Sequence, residues 1–212
     1  MYQPPHFRED RLEVQHALIQ AHPLGLLVTT GSTGLIANPF PFALDASASP
    51  KGTLRAHLSR ANPQWRDFDP DQEALVIFQG TEAYITPSWY EAKRETGKVV
   101  PTWNYAVVQA YGRMTVIDDP DWLLRQIGAV TRQQEAARPE PWAVTDAPAD
   151  YVAAQLKGII GVEIEISRIE GKWKVSQNRS EADRQRVASG LRGTATDAAQ
   201  QMADLVDERS VR

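Results

Sequence analysis

The sequence predicts a mainly antiparallel β fold with peripheral helices, an α+β protein built around a small barrel. Roughly six to eight short segments have strand patterning, and most are joined by turns too short for a helical crossover. Helical patterning occurs near both ends of the chain and once between strands. The sequence shows neither regular alternation of strands with helices nor a glycine-rich phosphate loop, which argues against Rossmann and P-loop folds.

The first part of the chain predicts one helix followed by two strands. Residues 10–21 place apolar side chains at helical spacing, and a proline soon after ends the helix. Residues 24–30 are apolar and rich in β-branched side chains, which is typical of a strand. Residues 35–42 form a second extended segment. Because Pro39 and Pro41 interrupt it, we expect this strand at the edge of a sheet.

The next segments predict a half-buried strand and a hairpin. Residues 53–59 alternate apolar and polar side chains, so one face of this strand is expected to face the core. Residues 74–78 form a short apolar run. We expect residues 83–86 to pair with that run across a turn at Gly80.

The second half begins with a long strand over residues 103–117. Asp119, followed by a proline and an acid, is a typical helix start. Residues 138–149 contain three prolines and are expected to form a loop. Residues 160–166 alternate again and predict another half-buried strand.

The C-terminal part predicts a turn and two helices. Gly171 is expected to turn the chain, and the strand then continues to Val175. Ser180 is a candidate cap for a helix that Gly190 and Gly193 interrupt.

A last helix carries Met202, Leu205 and Val206. We expect a domain over residues 1–193 that includes the N-terminal helix, and a helical tail over residues 194–212.

Composition limits the class of protein. The 212 residues carry a net charge of −4 and include no cysteine, which excludes disulfides, thiolate metal sites and cysteine nucleophiles. No apolar run is long enough to cross a membrane, and the polar N-terminus does not resemble a secretory signal. These features favour the cytoplasm of a bacterium, and the acidity gives no support for DNA binding.

Three segments concentrate the polar and aromatic residues that suggest a site: residues 56–65, 83–106 and 171–183. The first offers a serine and an arginine at a strand end, which suit a phosphate or a solvated turn. The second mixes aromatic rings with lysines, a combination that suits a planar anion or a dimer interface. The third suits a polar ligand or an edge strand guarded by lysines.

Other chemistry is not indicated. The histidines do not have metal-ligand spacing, so we expect no metal site. His16 is expected to be a packing residue, and no nucleophile elbow is present. Catalytic residues therefore cannot be assigned from the sequence.

The motifs in these segments resemble a known family. The stretches MYQPPHF, HLSRANPQW, AYITPSWY, VVPTWNYAVVQAYG and GKWKVSQNR are similar to those of the PaiB-type FMN-binding negative transcriptional regulators, a branch of the FMN-binding split-barrel superfamily. The resemblance extends from residue 1 to about residue 191. It implies a six-stranded antiparallel split β-barrel with C-terminal helices. It also implies a homodimer with FMN in a cleft at the dimer interface.

The resemblance also implies which residues contact FMN. It assigns Ser59 and Arg60 to the phosphate or the ribityl chain, and it places residues of the third motif along the ring, contributed by the partner protomer. A lysine of the last motif would favour the anionic reduced flavin if it lies near the N1–O2 edge of the ring. The full set of expected FMN-binding residues is His57, Ser59, Arg60, Asn62, Ser88, Tyr90, Lys93, Trp103, Asn104, Tyr105, Lys172, Trp173, Lys174, Gln177 and Asn178.

Several functions are compatible with this family. One is a dimeric flavoprotein with a redox or sensing role, and another is a regulator that acts on DNA or on a protein. An FMN-dependent oxidoreductase similar to flavin reductases or pyridoxamine-phosphate oxidases is an alternative, so whether the protein is an enzyme stays open. A haem-binding split barrel is a further alternative, with His57 as its axial ligand.

Overall fold

A computed structural model describes residues 1–209 as a mainly antiparallel β structure with six helices in that part of the chain. The last three residues of the expected C-terminal tail lie outside the described range. The strands are β1 Arg8–Glu9, β2 Leu24–Gly31, β3 Gly34–Pro41, β4 Ala43–Asp45, β5 Thr53–Ser59, β6 Ala74–Ile85, β7 Thr102–Gly112, β8 Met114–Ile117, β9 Ile159–Glu165 and β10 Arg168–Lys174. The helices are α1 Leu12–Ala21, α2 Glu91–Glu95, α3 Pro120–Glu135, α4 Ala149–Leu156, α5 Glu181–Arg192 and α6 Asp197–Glu208.

The strands form two sheets. The six-stranded sheet has the order β1-β10-β7-β6-β2-β3, and the four-stranded sheet has the order β4-β5-β9-β8. β3 lies at a sheet edge, as its prolines predict. β5 pairs antiparallel with β9 along its whole length, which brings Ala56 opposite Val162.

The chain folds into two compact units. The first unit comprises Met1–Gln15, Gln79–Val108 and the described residues from Glu170 onward, and the second comprises His16–Phe78 and Gln109–Ile169. The division of the chain at residue 193 stays a prediction.

The core of the second unit follows the strand periodicity. Leu54, Ala56 and Leu58 on β5 are buried, and the alternating apolar residues of β9 are buried with them. On α3, the Asp119 side chain accepts hydrogen bonds from two backbone N–H groups of the first turn. The predicted strand and the predicted helix start are therefore both confirmed here.

The core of the first unit is formed largely by α5, α6 and the segment before α2. It contains Ile85, Tyr90, Val175, Val187, Ala188, Leu191, Ala199, Met202, Ala203 and Val206. Ser180 caps α5 by accepting a hydrogen bond from the N–H of Asp183 at 3.2 Å, as its sequence position predicts. The apolar stripe of α6 packs in this core, which also agrees with the sequence.

Four predictions were wrong: three about the role of a glycine and one about the length of a strand. Gly80 does not turn a hairpin, because β6 runs through it as one strand and its φ is not positive. Residues 103–117 form two strands, β7 and β8, in different sheets. Gly171 lies within β10 and pairs with Glu9, so the turn precedes it. Gly190 lies inside α5 and does not interrupt it.

α4 follows the proline-rich loop and was not predicted from the sequence. Among the helices of residues 1–209, none is long and apolar enough to cross a membrane.

Candidate functional site

The expected FMN-binding residues are distributed over both units. The second unit holds four of them, all in the HLSRANPQW motif: His57, Ser59, Arg60 and Asn62. The first unit holds the other eleven. Each unit therefore carries its own group of candidate residues.

In the second unit, the motif side chains are engaged with neighbouring protein groups. His57 Nδ1 and Gln126 Oε1 are 2.7 Å apart, so a hydrogen bond joins β5 to α3. The guanidinium of Arg60 donates two hydrogen bonds to Asp118 and further ones to the carbonyls of Lys157 and Ile159. The Asp118 carboxylate raises the pKa of Arg60 further, and Arg60 lowers the pKa of Asp118. Arg60 therefore already has protein acceptors in this structure.

Ser59 and Asn62 have local roles in the turn after β5. The Oγ of Ser59 accepts a hydrogen bond from the N–H of Ala61 at 3.3 Å. The side chain of Asn62 accepts from the N–H of Gln64 at 2.9 Å and so caps the short 3₁₀ turn Pro63–Trp65. Asn and Ser are common at such caps because their oxygens reach a free backbone N–H two residues later.

In the first unit, two lysines lie beside an aromatic ring. Lys172 and Lys174 are two residues apart on β10, and Tyr105 lies on the neighbouring strand β7. The Nζ atoms lie 5.4 and 6.0 Å from the Tyr105 ring centroid, and Lys172 Nζ lies 5.5 Å from that of Tyr2. The period of two along each strand places these side chains together.

Lys172 is the less satisfied of the two cations. Its side chain is buried, with the whole residue 8% exposed. Within residues 1–209, no group accepts a hydrogen bond from its ammonium or forms an ion pair with it. The ammonium itself keeps access to water, because Lys172 Nζ is not among the buried side-chain atoms that lack a partner in the described part of the chain. An anionic ligand would supply the missing acceptor.

Lys174 is held in place by Thr102 Oγ1, at 2.5 Å from its Nζ, and by the carbonyl oxygen of Trp103. Burial lowers the pKa of Lys174, and the nearby charges of Lys172 and Arg179 lower it further. These three cations form a local excess of positive charge, and they repel one another. A negative ligand would reduce that repulsion.

A residue with strained backbone geometry follows Lys174 closely in the chain. Ser176 has a φ of 70°, which is the left-handed region that a serine rarely adopts. It is buried, and its Oγ accepts a hydrogen bond from the Asn104 side chain at 3.0 Å. The bond links two of the sequence motifs. Strain of this kind is often found at functional sites.

The remaining members of the expected set divide into buried and exposed residues. Tyr90 packs in the helical core with Arg179 over its ring, and burial raises the pKa of its hydroxyl although Arg179 opposes the shift. Trp173 is also buried, and the Gln177 side chain donates to the carbonyl oxygen of Trp173 and accepts from the N–H of Val175. Three others are exposed, namely Ser88, Lys93 and Asn178, with Lys93 donating to Ser88 at 3.2 Å.

Sequence reasoning missed three residues near the lysine pair: Tyr2, Thr102 and Arg179. Tyr2 lies in the first motif, and Arg179 ends the last one, so their motif positions could have identified them. Trp103 and Tyr84 are half exposed, and their rings meet edge to face at 5.9 Å. We call the lysine pair with Tyr2, Trp103 and Tyr105 the lysine–aromatic cluster. It combines positive charge with flat apolar surfaces, which suits a planar anionic ligand.

Comparison with known proteins agrees with the fold and with this ligand class. The fold is that of the split-barrel flavoproteins, with an open sheet arrangement. Residues 1–168 match the model of the family described as "Putative FMN-binding domain". The chain belongs to this family, and FMN is therefore its cofactor.

Relatives place the chain near the PaiB branch of the family. It is 32% identical to the protease synthase and sporulation protein PAI 2 of Bacillus subtilis, covering 99% of this chain and 98% of that protein. It is also 36% identical to an uncharacterised protein of Emericella nidulans, covering 95% and 94% respectively. Because relatives occur in a fungus as well as a bacterium, family membership does not restrict the chain to bacteria.

A solved structure shares the fold at low identity. The FAD and haem binding protein of Mycobacterium smegmatis gives a TM-score of 0.55 at 16% identity, covering 78% of this chain and 71% of that protein. The likeness concerns the fold alone.

The candidate residues of the first unit fit FMN, whereas those of the second unit fit it less well. FMN carries a phosphate and a flat ring with carbonyl oxygens. The ammonium of Lys172, which lacks an acceptor within residues 1–209, is suited to either group. The donors of Arg60 fit less well, because its hydrogen bonds to Asp118 and two carbonyls would have to be exchanged for bonds to the ligand.

Proposed function

We propose that the lysine–aromatic cluster binds a negatively charged or carbonyl-bearing part of FMN. The observation that carries this proposal is the side chain of Lys172, which is largely buried and brings its ammonium near the rings of Tyr2 and Tyr105 without a hydrogen-bond acceptor among the described residues. Lys174 adds a second charge, and Trp103 adds exposed ring surface. The expected residues of the HLSRANPQW motif remain candidates for the phosphate, with Arg60 requiring a change of partners.

The cluster would also influence the chemistry of the bound cofactor. When bound, FMN supplies one- or two-electron transfer. Positive charge at Lys172 and Lys174 would bind a reduced, negatively charged flavin more tightly than an oxidised one. The cluster would therefore raise the reduction potential, which suits a redox or sensing role. If the bound FMN turns over a substrate, the same site makes the protein an FMN-dependent oxidoreductase.

We propose that a second copy of the chain covers the exposed aromatic residues. Trp103 is 52% exposed and Tyr84 is 49% exposed, and the two rings are in contact. Exposed neighbouring aromatic residues are more typical of interfaces than of solvated surface. In a homodimer with FMN beside this interface, the exposed rings of Trp103 and Tyr84 would be covered. Light scattering of the purified protein would give its mass, and a monomer at micromolar concentration would exclude this part of the proposal.

Regulation of transcription is a second candidate role, favoured by the similarity to the PaiB branch. The net charge of −4 favours a role through a protein or through flavin sensing over direct DNA binding. We propose a cytoplasmic location for such a regulator. Binding to promoter fragments at several salt concentrations tests direct DNA binding, because phosphate contacts weaken steeply with salt.

Titration of the purified protein with FMN tests the FMN site. We expect Lys172→Met to weaken FMN binding by about 10- to 100-fold, the range for loss of a charged hydrogen bond. Flavin fluorescence quenching and the visible absorption spectrum give the dissociation constant. Lys98→Met, in an exposed loop of the same unit, is the matched control and should bind FMN normally. Equal affinity of both variants would exclude Lys172 from the site.

A further inference from the structure

The second unit contains an apolar cavity that the flavin proposal does not use. It has a volume of about 560 Å³ and lies between α3, α4 and the short 3₁₀ turn Val144–Asp146. Its apolar lining includes Leu124, Val144, Val152 and Leu156. Cavities of this size and apolar character commonly hold small ligands.

A second cavity adjoins the first. It has a volume of about 360 Å³ and shares Thr131, Val144, Val152 and Leu156 with it. It extends to His57. Together the two cavities can accept an elongated apolar group.

Large apolar side chains near the cavities are exposed to solvent. Trp142 and Tyr151 line the second cavity and are 49% and 57% exposed, and Leu124 at the first is 42% exposed. Their exposed apolar surface would be stabilised by a ligand that removes it from water. Such a grouping is a typical sign of a binding site.

Arg132 provides a charged group at the wall of the first cavity. Both Arg132 and Gly128 line this cavity. A Cβ atom added to Gly128 would lie 3.4 Å from Arg132 Nη1, so the guanidinium lies next to the bare backbone of α3. No acidic side chain lines either cavity, and none of the described residues forms an ion pair with Arg132. The guanidinium is therefore available to an anionic ligand.

We propose that these cavities bind a small amphipathic carboxylate, with its apolar chain in the cavities and its carboxylate on Arg132. The size and the apolar lining select the chain, and the guanidinium selects the charged end, because Arg binds carboxylates in a two-pronged geometry. The residues of both cavities lie outside the lysine–aromatic cluster, and His57 is the one lining residue that also belongs to the expected FMN-binding set.

Calorimetric titration of the full FMN-loaded protein with decanoate, and separately with decanol, tests the proposal. We expect one decanoate per chain, and weaker binding of decanol because it lacks the charge. Arg132→Gln should weaken decanoate binding about 10-fold or more without a comparable effect on decanol. Gly128→Leu should abolish the binding of both, because its side chain occupies the cavity. Leucine is also a better helix former than glycine, so α3 should remain folded.

Arg125→Gln is the matched control, because it removes an exposed arginine from the same helix but not from this cavity. It should leave decanoate binding unchanged. Absence of decanoate binding, equal loss in Arg125→Gln, or unchanged binding in a folded Gly128→Leu variant would overturn the proposal. The flavin absorption of each variant is recorded in parallel, so failure of the FMN site is distinguished from failure of this one.

Discussion

Arg60 and Asp118 form a two-pronged ion pair, with Nη1 and Nη2 of the guanidinium donating to the two carboxylate oxygens at 2.8 and 2.6 Å. The same guanidinium donates to the carbonyls of Lys157 and Ile159 at 3.1 and 3.0 Å. Arg60 thus ties the end of β5 to the chain entering β9. The sequence motif assigns this arginine to FMN, whereas its contacts give it a structural role, and substitution can separate the two.

Arg60→Ala is expected to lower the melting temperature measurably and to leave the dissociation constant of FMN nearly unchanged. The substitution removes four hydrogen bonds within the second unit, but the partly exposed pair with Asp118 contributes little. The melting temperature should fall by about 2–4 °C. Asp118→Ala is the control, because it breaks the ion pair and leaves the guanidinium. A 10-fold loss of FMN affinity in Arg60→Ala alone would instead establish Arg60 as a ligand of FMN.

FMN binding should weaken at alkaline pH through Lys174. Burial and the charges of Lys172 and Arg179 place its pKa below the ordinary value in the free protein. A negative ligand favours the protonated ammonium and so raises that pKa again. FMN is therefore expected to bind with its highest affinity below the lowered pKa of Lys174. The affinity declines as the pH rises through that pKa toward the ordinary lysine range.

The dissociation constant of FMN measured across this pH range gives the result. Lys174→Arg keeps its charge at every accessible pH, so its profile should be flatter. An identical pH dependence in both proteins would show that another group controls binding.

Local patterns predicted the elements whose structure is determined locally. The alternation of β5 places Leu54 and Leu58 in the core, and the caps Asp119 and Ser180 mark the starts of α3 and α5. These features depend on period and on the first turn of a helix, which the sequence contains.

Glycines were the main source of wrong predictions, because their role depends on distant partners. Gly171 can remain in a strand since it pairs with Glu9, more than 150 residues away in the chain. The partners of candidate site residues were hidden for the same reason. One motif contains Arg60 but gives no sign of Asp118, and another contains Lys172 but does not indicate that its side chain is largely buried.

Glu9 should make the stability of the first unit dependent on acid pH. Burial alone would raise its pKa, but hydrogen bonds from Arg11 and Arg209 outweigh burial and lower the pKa to about 2 from 4.5. Because the folded-state pKa is lowered, the stabilisation is present above about pH 4.5 and is lost as pH falls through about 2. Glu9→Gln should cost about 1.5–3 kcal/mol of unfolding free energy at neutral pH.

Urea denaturation at a series of pH values measures this difference. The curves of Glu9→Gln and the unsubstituted protein should converge in acid, as both then lack the carboxylate. Glu208→Gln, which removes an exposed acid on α6, should behave like the unsubstituted protein at every pH. A gap between the Glu9→Gln and unsubstituted curves that does not change with pH would contradict the assignment.

Two helical glycines should respond in opposite directions to the same substitution. A Cβ atom at Gly190 on α5 would lie 2.4 Å from ring atoms of Trp89, so the indole would have to move. We expect Gly190→Ala to destabilise the protein by about 1–3 kcal/mol, because overpacking outweighs the gain in helix propensity. Gly128→Ala on α3 meets nothing closer than 3.4 Å and should stabilise it by about 0.5–1 kcal/mol. Urea midpoints of both variants test the pair. If Gly190→Ala were as stabilising as Gly128→Ala, the contact of α5 with Trp89 would not be tightly packed in solution.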